Sequence, residues 1–169
     1  MSDPPSGGEP AATELVRALA ARGQTIAVAE SLTGGAVTSA LVEVPGVSAV
    51  LRGGVVAYAS DLKHALLGVD AELLTGEGAV HAEVAAQMAD GVRTRLAADW
   101  GVATTGVAGP DAQDDRPPGR VFVAVRGPDA ALVERLDLPG GRAQVRAGSV
   151  EAVLDLLRRA LEASVQPTA

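Results

Sequence analysis

The sequence contains no cysteine and no long apolar run. Without cysteine, disulfide bonds, thiolate zinc sites and cysteine nucleophiles are all excluded. No stretch reaches the roughly 18 uninterrupted apolar residues that a membrane-spanning helix requires. The first residues carry neither a basic region nor an apolar core, so the sequence predicts no signal peptide. We therefore expect a cytoplasmic protein that does not enter a membrane.

Aromatic residues and lysine are also scarce. The aromatic residues are Tyr58, Trp100 and Phe122, which leaves few side chains for stacking on bases. The formal net charge is −7, the opposite of the basic surface of nucleic-acid binders, so we expect no nucleic-acid partner. Lys63 is the sole lysine beside thirteen arginines. Lysine, unlike arginine, can lose its proton when buried, which makes Lys63 a candidate functional residue, although GC-rich coding would also favour arginine.

The chain of 169 residues is 47% hydrophobic, enough for one domain with a substantial core. A Pro-, Gly- and Ser-rich start predicts a disordered tail over residues 1–10, and we expect a single domain over 11–165. Apolar runs and helical periodicity predict the other elements. These are helix 11–22, strand 25–29, helix 36–42, strand 53–59, helix 61–67, a turn-rich stretch, helix 82–98, strands 101–107, 120–126 and 131–138, and helix 144–163. The order predicts an α/β fold, a layered sandwich with a mixed sheet flanked by helices.

Two predicted loops, over residues 30–35 and 106–119, follow strands of this sheet, where α/β proteins bind their ligands. In the first loop, Ser31 precedes a glycine-containing helix start whose backbone N–H groups and dipole favour negative charge. Such donors would hold a phosphate or a developing oxyanion. The alternative is that Ser31 or Thr33 only caps the helix.

A nucleophilic serine needs a base, and the sequence offers few candidates. His64 and His81 lie in or beside amphipathic helices, which favours solvent-exposed rings, and no Ser-His-Asp arrangement is evident. Lys63 would serve as the base if burial kept part of its amine neutral near neutral pH. The hydroxyl of Tyr58, across the strand-to-helix junction, would relay a proton or orient the amine. The alternative is an exposed helical lysine and a tyrosine with a buried ring.

Two other patterns carry little functional weight. Ser60 and Lys63 match the S-x-x-K spacing of penicillin-recognising enzymes, but the K-T-G that accompanies this motif would need a second lysine. We interpret the match as coincidental. Asp111, Asp114 and Asp115 lie close together in the sequence, and such a cluster is usually a solvated acidic loop. We therefore expect no metal site.

Five ordered motifs carry a resemblance to a known family. They are Ala29-Glu30-Ser31-Leu32-Thr33-Gly34-Gly35, Tyr58 with Lys63, Gly78-Ala79-Val80, Gly106-Val107-Ala108-Gly109-Pro110-Asp111, and Pro139-Gly140 followed by Arg142 and Arg146. Together they resemble the CinA C-terminal domain family, the nicotinamide-nucleotide amidohydrolases, over about residues 12–161. The resemblance implies hydrolysis of the carboxamide of nicotinamide mononucleotide to nicotinate mononucleotide and ammonia. This is a salvage step in pyridine nucleotide recycling, and no cofactor is expected.

The resemblance also implies roles for particular residues. The family's serine nucleophile falls on Ser31, its catalytic lysine on Lys63 and its assisting tyrosine on Tyr58. We expect the nucleotide substrate and the oxyanion to be bound by Glu30, Thr33, Gly34, Gly35, Ser60, Thr105, Gly106, Gly109, Arg142 and Arg146. Of these, Arg142 and Arg146 are expected to hold the phosphate; the alternative is that both are solvated at a helix start. We also expect a homo-oligomer, as is usual for such domains.

The chain departs from the family pattern around the expected site. Ser60 stands where asparagine is usual, and Arg120 stands where threonine is usual. Ala112 and Gln113 replace two glycines, which restricts a backbone that must approach the ligand. The alternative function is therefore a catalytically weakened nucleotide- or partner-binding module of the same fold.

Overall fold

The structure of the protein is a computed structural model that describes residues 10–164. Within this range the chain forms five strands and six α-helices, with one short 3₁₀ turn at Val47–Ala49. In chain order they are α1 (Ala11–Arg22), β1 (Ile26–Glu30), α2 (Ala36–Val42), β2 (Leu51–Val56), α3 (Ser60–Leu67), α4 (Ala71–Glu77), α5 (Ala82–Arg95), β3 (Trp100–Gly106), β4 (Arg120–Arg126), β5 (Ala131–Asp137) and α6 (Arg142–Ala163). The tail predicted over residues 1–10 lies outside the described residues, except for Pro10, which precedes α1.

The five strands form one mixed sheet in the order β2-β1-β3-β4-β5. Strand β1 pairs in parallel with both β2 and β3, whereas β4 is antiparallel to β3 and β5 is antiparallel to β4. The predicted mixed sheet flanked by helices is thereby confirmed. Because β1, β2 and β3 run in one direction, the loops that follow them meet at one edge of the sheet.

The two faces of the sheet carry side chains of different size. One face packs large residues against α1, α2 and α6, and the other packs small residues against α3 and α5. Along β1 and β3 the large set is Ile26, Val28, Trp100 and Val102, and the small set is Ala27, Ala29, Gly101 and Ala103. The small side chains allow α5 to approach the sheet closely. A Cβ atom on Gly101 would lie only 2.1 Å from the carbonyl oxygen of Ala89.

Most predicted boundaries lie within one to three residues of those in the structure, and three differences have an identifiable physical cause. The stretch predicted as turns contains helix α4, which begins because the Asp70 carboxylate accepts the N–H groups of Glu72 and Leu73. The second strand begins at Leu51 rather than at Gly53, since its pairing with β1 starts there. Helix α5 ends three residues before the predicted end, because Ala97 adopts a left-handed conformation with φ of 50°.

Two helical glycines allow a matched test of the packing between α5 and the end of α3. A Cβ on Gly91 would lie 1.9 Å from the carbonyl oxygen of Leu67, whereas nothing lies within 4 Å of a Cβ on Gly76 in α4. We expect Gly91→Ala to lower the free energy of unfolding by about 2–3 kcal/mol through overpacking. We expect Gly76→Ala to raise it by about 0.5–1 kcal/mol, since alanine favours the helix. Urea denaturation measures both, and a Gly91→Ala variant as stable as the parent would contradict this account of the helix contact.

Candidate active site

Ser31 lies at the sheet edge where β1, β2 and β3 end. Its backbone N–H donates to the carbonyl oxygen of Thr104 at 3.1 Å, which continues the ladder between β1 and β3 by one residue. The serine is therefore held by the sheet, although it stands in the turn before α2. It is 8% exposed and lines a cavity. Its hydroxyl is thus fixed in position and still reachable.

The ammonium of Lys63 lies directly against this serine. Lys63 and Leu67 are four residues apart on α3, so both project from the face of the helix that is buried. Lys63 Nζ donates to Ser31 Oγ at 3.0 Å and to the carbonyl oxygen of Ala57 at 2.9 Å. The carbonyl oxygen of Tyr58 lies 3.3 Å away. The side chain is only 1% exposed, which excludes the alternative of a solvated helical lysine.

Burial changes the protonation of Lys63. Removal from water disfavours the charged ammonium and lowers the pKa of Lys63 to about 8, against an opposing effect of the Asp114 carboxylate. With this pKa, about a tenth of the amine is neutral at pH 7. A neutral amine 3.0 Å from a serine hydroxyl can accept its proton. The arrangement therefore places a buried, titratable amine within hydrogen-bonding distance of a serine hydroxyl that lines a cavity.

Glu30, the residue before the serine, is fully buried and binds the start of α2. Its Oε2 accepts the N–H groups of Gly35 and Val37, each at 3.0 Å. Its Oε1 accepts the N–H and the hydroxyl of Thr38, both at 2.8 Å. A carboxylate at a helix N-terminus also interacts favourably with the helix dipole. The helix start that the sequence suggested as an anion site is therefore occupied by the protein's own carboxylate.

The backbone around Ser31 is fixed by further hydrogen bonds. Gly34 N–H donates to Ser31 O at 3.1 Å, and Gly34 and Gly35 both adopt positive φ angles, 59° and 102°. Arg146 donates to the carbonyl oxygens of Leu32 and Thr33, at 3.0 and 2.8 Å. Among residues 10–164, the N–H groups of Leu32 and Thr33 form no hydrogen bond. Of these two residues, Leu32 lines the cavity, so its N–H is a candidate donor to a ligand.

The cavity beside Ser31 has a volume of about 410 Å³. Its walls come from the ends of β1 and β3, the loop over residues 107–119 and the start of α6. The lining residues are Ser31, Leu32, Tyr58, Gly106, Val107, Ala108, Gly109, Pro110, Asp111, Ala112, Gln113 and Arg142. Arg142 donates to the carbonyl oxygen of Gly109 at 3.0 Å and to the hydroxyl of Tyr58 at 3.1 Å. The guanidinium thus connects two walls of the cavity and supplies its positive charge.

Five of the predicted site residues line the cavity, and four others are buried. The lining residues are Ser31, Tyr58, Gly106, Gly109 and Arg142. The buried residues are Glu30, Thr33, Lys63 and Thr105, whereas Gly34 is exposed and Gly35 and Arg146 are half-buried. Thr33 bonds Thr104 through their hydroxyls at 2.8 Å. Most of the predicted site residues therefore fall into two sets, those that line the cavity and those that bond the cavity-lining segments without lining it.

Tyr58 occupies a different position from the one that the sequence suggested. Its side chain is 58% exposed, so its ring is not buried. Its hydroxyl accepts from Arg142, and only its backbone carbonyl approaches Lys63 Nζ. In this structure the contact between Tyr58 and the lysine is therefore made by the main chain.

The positions that depart from the family pattern divide into two groups. Ala112 and Gln113 line the cavity. Ser60 lines a separate surface depression with Asp61 and His64, and Arg120 pairs with Asp137 on β5. Of these four positions, Ala112 and Gln113, which stand where glycines are usual, change the lining of the cavity.

Sequence reasoning missed three groups that complete the site. The carbonyl oxygen of Ala57 binds the lysine, Ala79 bonds both Thr105 and Asp114, and Asp114 acts on Lys63 through its charge. Backbone groups such as that of Ala57 leave no signal in a sequence. Ala79 belongs to the Gly78-Ala79-Val80 motif of the sequence, but the sequence does not indicate which residues it contacts.

Several other features bear on the chemistry within residues 10–164. The rings of His64 and His81 bond backbone groups, namely the carbonyl oxygen of Val69 and the N–H of Glu83. No three His, Asp or Glu side chains in this range converge closely enough to hold a metal ion. None of the helices in the same range is both long enough and apolar enough to cross a membrane.

Comparison with known proteins places the chain beside one family. The sequence profile described as CinA C-terminal domain matches residues 8–161. A CinA-like protein of Frankia casuarinae is 50% identical over 143 residues, which cover 85% of this chain and 33% of the relative. The chain spans about a third of the length of the curated relatives that it matches.

Solved structures show the same fold. A CinA superfamily protein of Klebsiella pneumoniae superimposes with a TM-score of 0.86 at 32% identity, covering 90% of this chain and 96% of that one. The competence/damage inducible protein CihA of Agrobacterium tumefaciens superimposes with a TM-score of 0.82 at 36% identity, covering 96% and 99%.

The role of Glu30 as the anchor of α2 leads to a stability test. We expect Glu30→Gln to lower the free energy of unfolding by about 2–4 kcal/mol, because in either orientation the amide NH₂ would face at least one backbone N–H and the helix would lose its charged acceptor. Glu43→Gln, an exposed change at the other end of α2, is the control and should alter stability by less than about 0.5 kcal/mol. Equal midpoints of the two variants in urea denaturation would refute this role of Glu30.

Proposed function

This chain belongs to the CinA C-terminal domain family, and on that premise we propose that it hydrolyses the carboxamide of nicotinamide mononucleotide to nicotinate mononucleotide and ammonia. The observation that carries the proposal is the 3.0 Å contact between Ser31 Oγ and Lys63 Nζ. The lysine of this pair is buried, and the serine opens on a cavity. Such a pair suits acyl transfer from an amide, because it supplies a nucleophile and a base without a histidine.

The reaction begins with neutral Lys63. Its amine takes the hydroxyl proton of Ser31 as Oγ attacks the carbonyl carbon of the carboxamide. The carbonyl oxygens of Ala57 and Tyr58 orient the amine and interact favourably with the ammonium that forms. A tetrahedral intermediate results, covalently bound to Ser31 and with a negative charge on the former carbonyl oxygen.

The Leu32 N–H, which forms no hydrogen bond among the described residues, supports stabilisation of this oxyanion. In hydrolases whose serine lies in a strand-to-helix turn, one oxyanion donor is the N–H of the residue directly after the serine, and Leu32 holds that position here. Gly34 N–H and Gly35 N–H are bonded to Ser31 and Glu30, so in this structure they hold the turn rather than point at a ligand. The Arg146 contacts with Leu32 O and Thr33 O keep the orientation of the turn fixed.

Collapse of the intermediate breaks the bond between carbon and nitrogen. Lys63 returns its proton to the departing nitrogen, which leaves as ammonia, and the nicotinate group stays esterified to Ser31. A water molecule then attacks the ester while Lys63 takes its proton and returns a proton to Ser31 Oγ. Nicotinate mononucleotide is released, and no cofactor enters these steps.

Groups around the cavity suit the rest of the nucleotide. Arg142 presents a guanidinium, which is well matched to a phosphate. The exposed ring of Tyr58 offers an aromatic face to the pyridine ring. Arg146 is bonded to the serine turn, so we assign the phosphate to Arg142. The cytoplasmic location and the homo-oligomeric state stay predictions.

The central test is ammonia release from nicotinamide mononucleotide. We expect Ser31→Ala to abolish turnover, and Lys63→Arg to lower it roughly a thousandfold or more, because a guanidinium keeps its charge but cannot take the serine proton. Ser48→Ala is the control, because this exposed serine lies in the 3₁₀ turn before the start of β2, whereas the site lies where the strands end. Substantial turnover by Lys63→Arg would overturn the base assignment. Thermal stabilisation of the parent by the nucleotide, without turnover, would instead indicate a binding module.

The pKa of Lys63 predicts the pH dependence of the reaction. The base must be neutral, so kcat/KM should rise with pH through about 8 and level off above it. The pKa is lowered by burial, so this rise comes well below the usual lysine range. Initial rates measured from pH 6 to pH 10 check the prediction. A profile that is flat across that range would contradict lysine as the general base.

A further inference from the structure

The backbone of Ala79 joins two segments of the site that the proposed mechanism does not use. Thr105, near the end of β3, donates its hydroxyl to Ala79 O at 2.7 Å. Ala79 N–H donates to Asp114 Oδ2 at 2.8 Å. Ala79 is buried, so its polar groups need partners within the protein. This residue thereby connects the strand beneath the cavity to the loop over residues 107–119.

Asp114 is presented to Ala79 by a tight turn in that loop. Gln113 and Arg116 exchange two backbone hydrogen bonds, at 3.1 and 2.8 Å. Asp114 and Asp115 between them adopt left-handed conformations, with φ of 49° and 56°, which aspartate tolerates better than most residues. Because Gln113 lines the cavity, the contact between Asp114 and Ala79 fixes a wall of the cavity one residue away.

Gly78 allows this contact. Its φ is +78°, and a Cβ atom there would lie 2.7 Å from the Cβ of Asp114. A larger residue would therefore push the aspartate away from the Ala79 N–H. In the Gly78-Ala79 part of the sequence motif, Gly78 thus leaves space for the Asp114 side chain and Ala79 donates its N–H to the carboxylate.

We propose that Asp114 is a positioning residue for the reaction, one that holds the cavity wall through Ala79 and brings its negative charge to the strand ends where Lys63 bonds Ser31. This inference rests on the proposed function for its meaning in catalysis. Its two physical parts, the backbone contact and the effect of the charge, are properties of the folded chain and can be measured without a substrate.

The charged surroundings of Lys63 support the second part. The ionisable groups on the surrounding elements include Glu30 on β1, Tyr58 before α3, Asp61 and His64 on α3, Glu72 and Glu77 on α4, His81 before α5, Glu83 and Asp90 on α5, Asp111, Asp114, Asp115 and Arg116 in the loop, and Arg142 and Arg146 on α6. Glu30 is bonded to α2, and Asp61 and His64 are exposed. Among the described groups, the Asp114 carboxylate is the one whose charge raises the pKa of Lys63 against the effect of burial. Loss of this charge should therefore lower the pKa of Lys63 further.

The single lysine makes this effect directly measurable. Labelling the 169-residue chain with [ε-¹³C]lysine gives one lysine signal, from Lys63, whose chemical shift can be followed against pH by NMR. Asp114→Asn keeps an oxygen to accept the Ala79 N–H and tolerates the left-handed conformation, but it removes the charge. We expect its titration midpoint to lie below that of the parent. Asp115→Asn, the matched change at the neighbouring left-handed residue, should leave the midpoint at the parental value.

A second variant tests the contact with Ala79. Asp114→Ala removes the acceptor as well as the charge, so we expect the Ala79 amide hydrogen to exchange with solvent roughly tenfold faster than in the parent. In Asp114→Asn and in an Asp115→Ala control, the exchange rate should stay close to the parental one. If the parent turns over nicotinamide mononucleotide, the rise of kcat/KM with pH should move to lower pH in Asp114→Asn, in step with the NMR midpoint.

Either of two results would overturn the proposal. One is an unchanged Lys63 midpoint in Asp114→Asn, or an equal shift in Asp115→Asn. The other is an Ala79 exchange rate that Asp114→Ala does not alter. A parent without turnover would count against the proposed function alone, because the titration and the exchange rate report on Asp114 whether or not the substrate has been identified correctly.

Discussion

The burial of the Lys63 amine is the constraint on which the site depends. A lysine that is 1% exposed has lost its hydration, and three oxygens replace the water: Ser31 Oγ and the carbonyl oxygens of Ala57 and Tyr58. These acceptors make burial tolerable but do not cancel its cost, so the pKa of Lys63 falls to about 8. An arginine in the same place would stay charged, whereas this amine is partly neutral near neutral pH.

Hydrogen bonds from two charged side chains fix the turn that carries Ser31 beside Lys63. The buried Glu30 carboxylate accepts N–H groups at the start of α2. The Arg146 guanidinium donates to the carbonyl oxygens of Leu32 and Thr33. Both residues are charged and stand beside the proposed nucleophile, yet in this structure neither lines the cavity. Their hydrogen bonds occupy several polar groups of the turn, whereas among residues 10–164 the N–H groups of Leu32 and Thr33 form no hydrogen bond.

The difference in side-chain size between the two faces of the sheet brings the segment before α5 to the site. Small residues along β1 and β3 let α5 lie close to one face, with contacts as tight as that of Gly101 with Ala89. The segment before α5 is thereby brought to the strand ends, where Ala79 meets Thr105 and Asp114. The turn after β1, the loop between β3 and β4 and the start of α6 thus contribute to one cavity.

Much of the fold could be predicted from the sequence, because strands buried on both faces and amphipathic helices leave patterns within single segments. The helix over residues 11–22 and the strand over 120–126 were predicted with the bounds that the structure has. Helix α4 was missed, since seven residues that include Thr75 and Gly76 carry little helical signal and the helix depends on its Asp70 cap.

For the site, local sequence determined the candidates and tertiary structure decided what each one touches. The sequence by itself singled out Ser31 in a strand-to-helix loop, the sole lysine and the glycine-rich segments, because these features are local. Whether Lys63 is buried, whether Glu30 faces a ligand or a helix, and whether Tyr58 meets the lysine through its hydroxyl or its carbonyl depend on contacts between residues far apart in the chain. Such contacts are set by the packing of α3 and α6 around the sheet, and that packing exists only once the whole chain has folded.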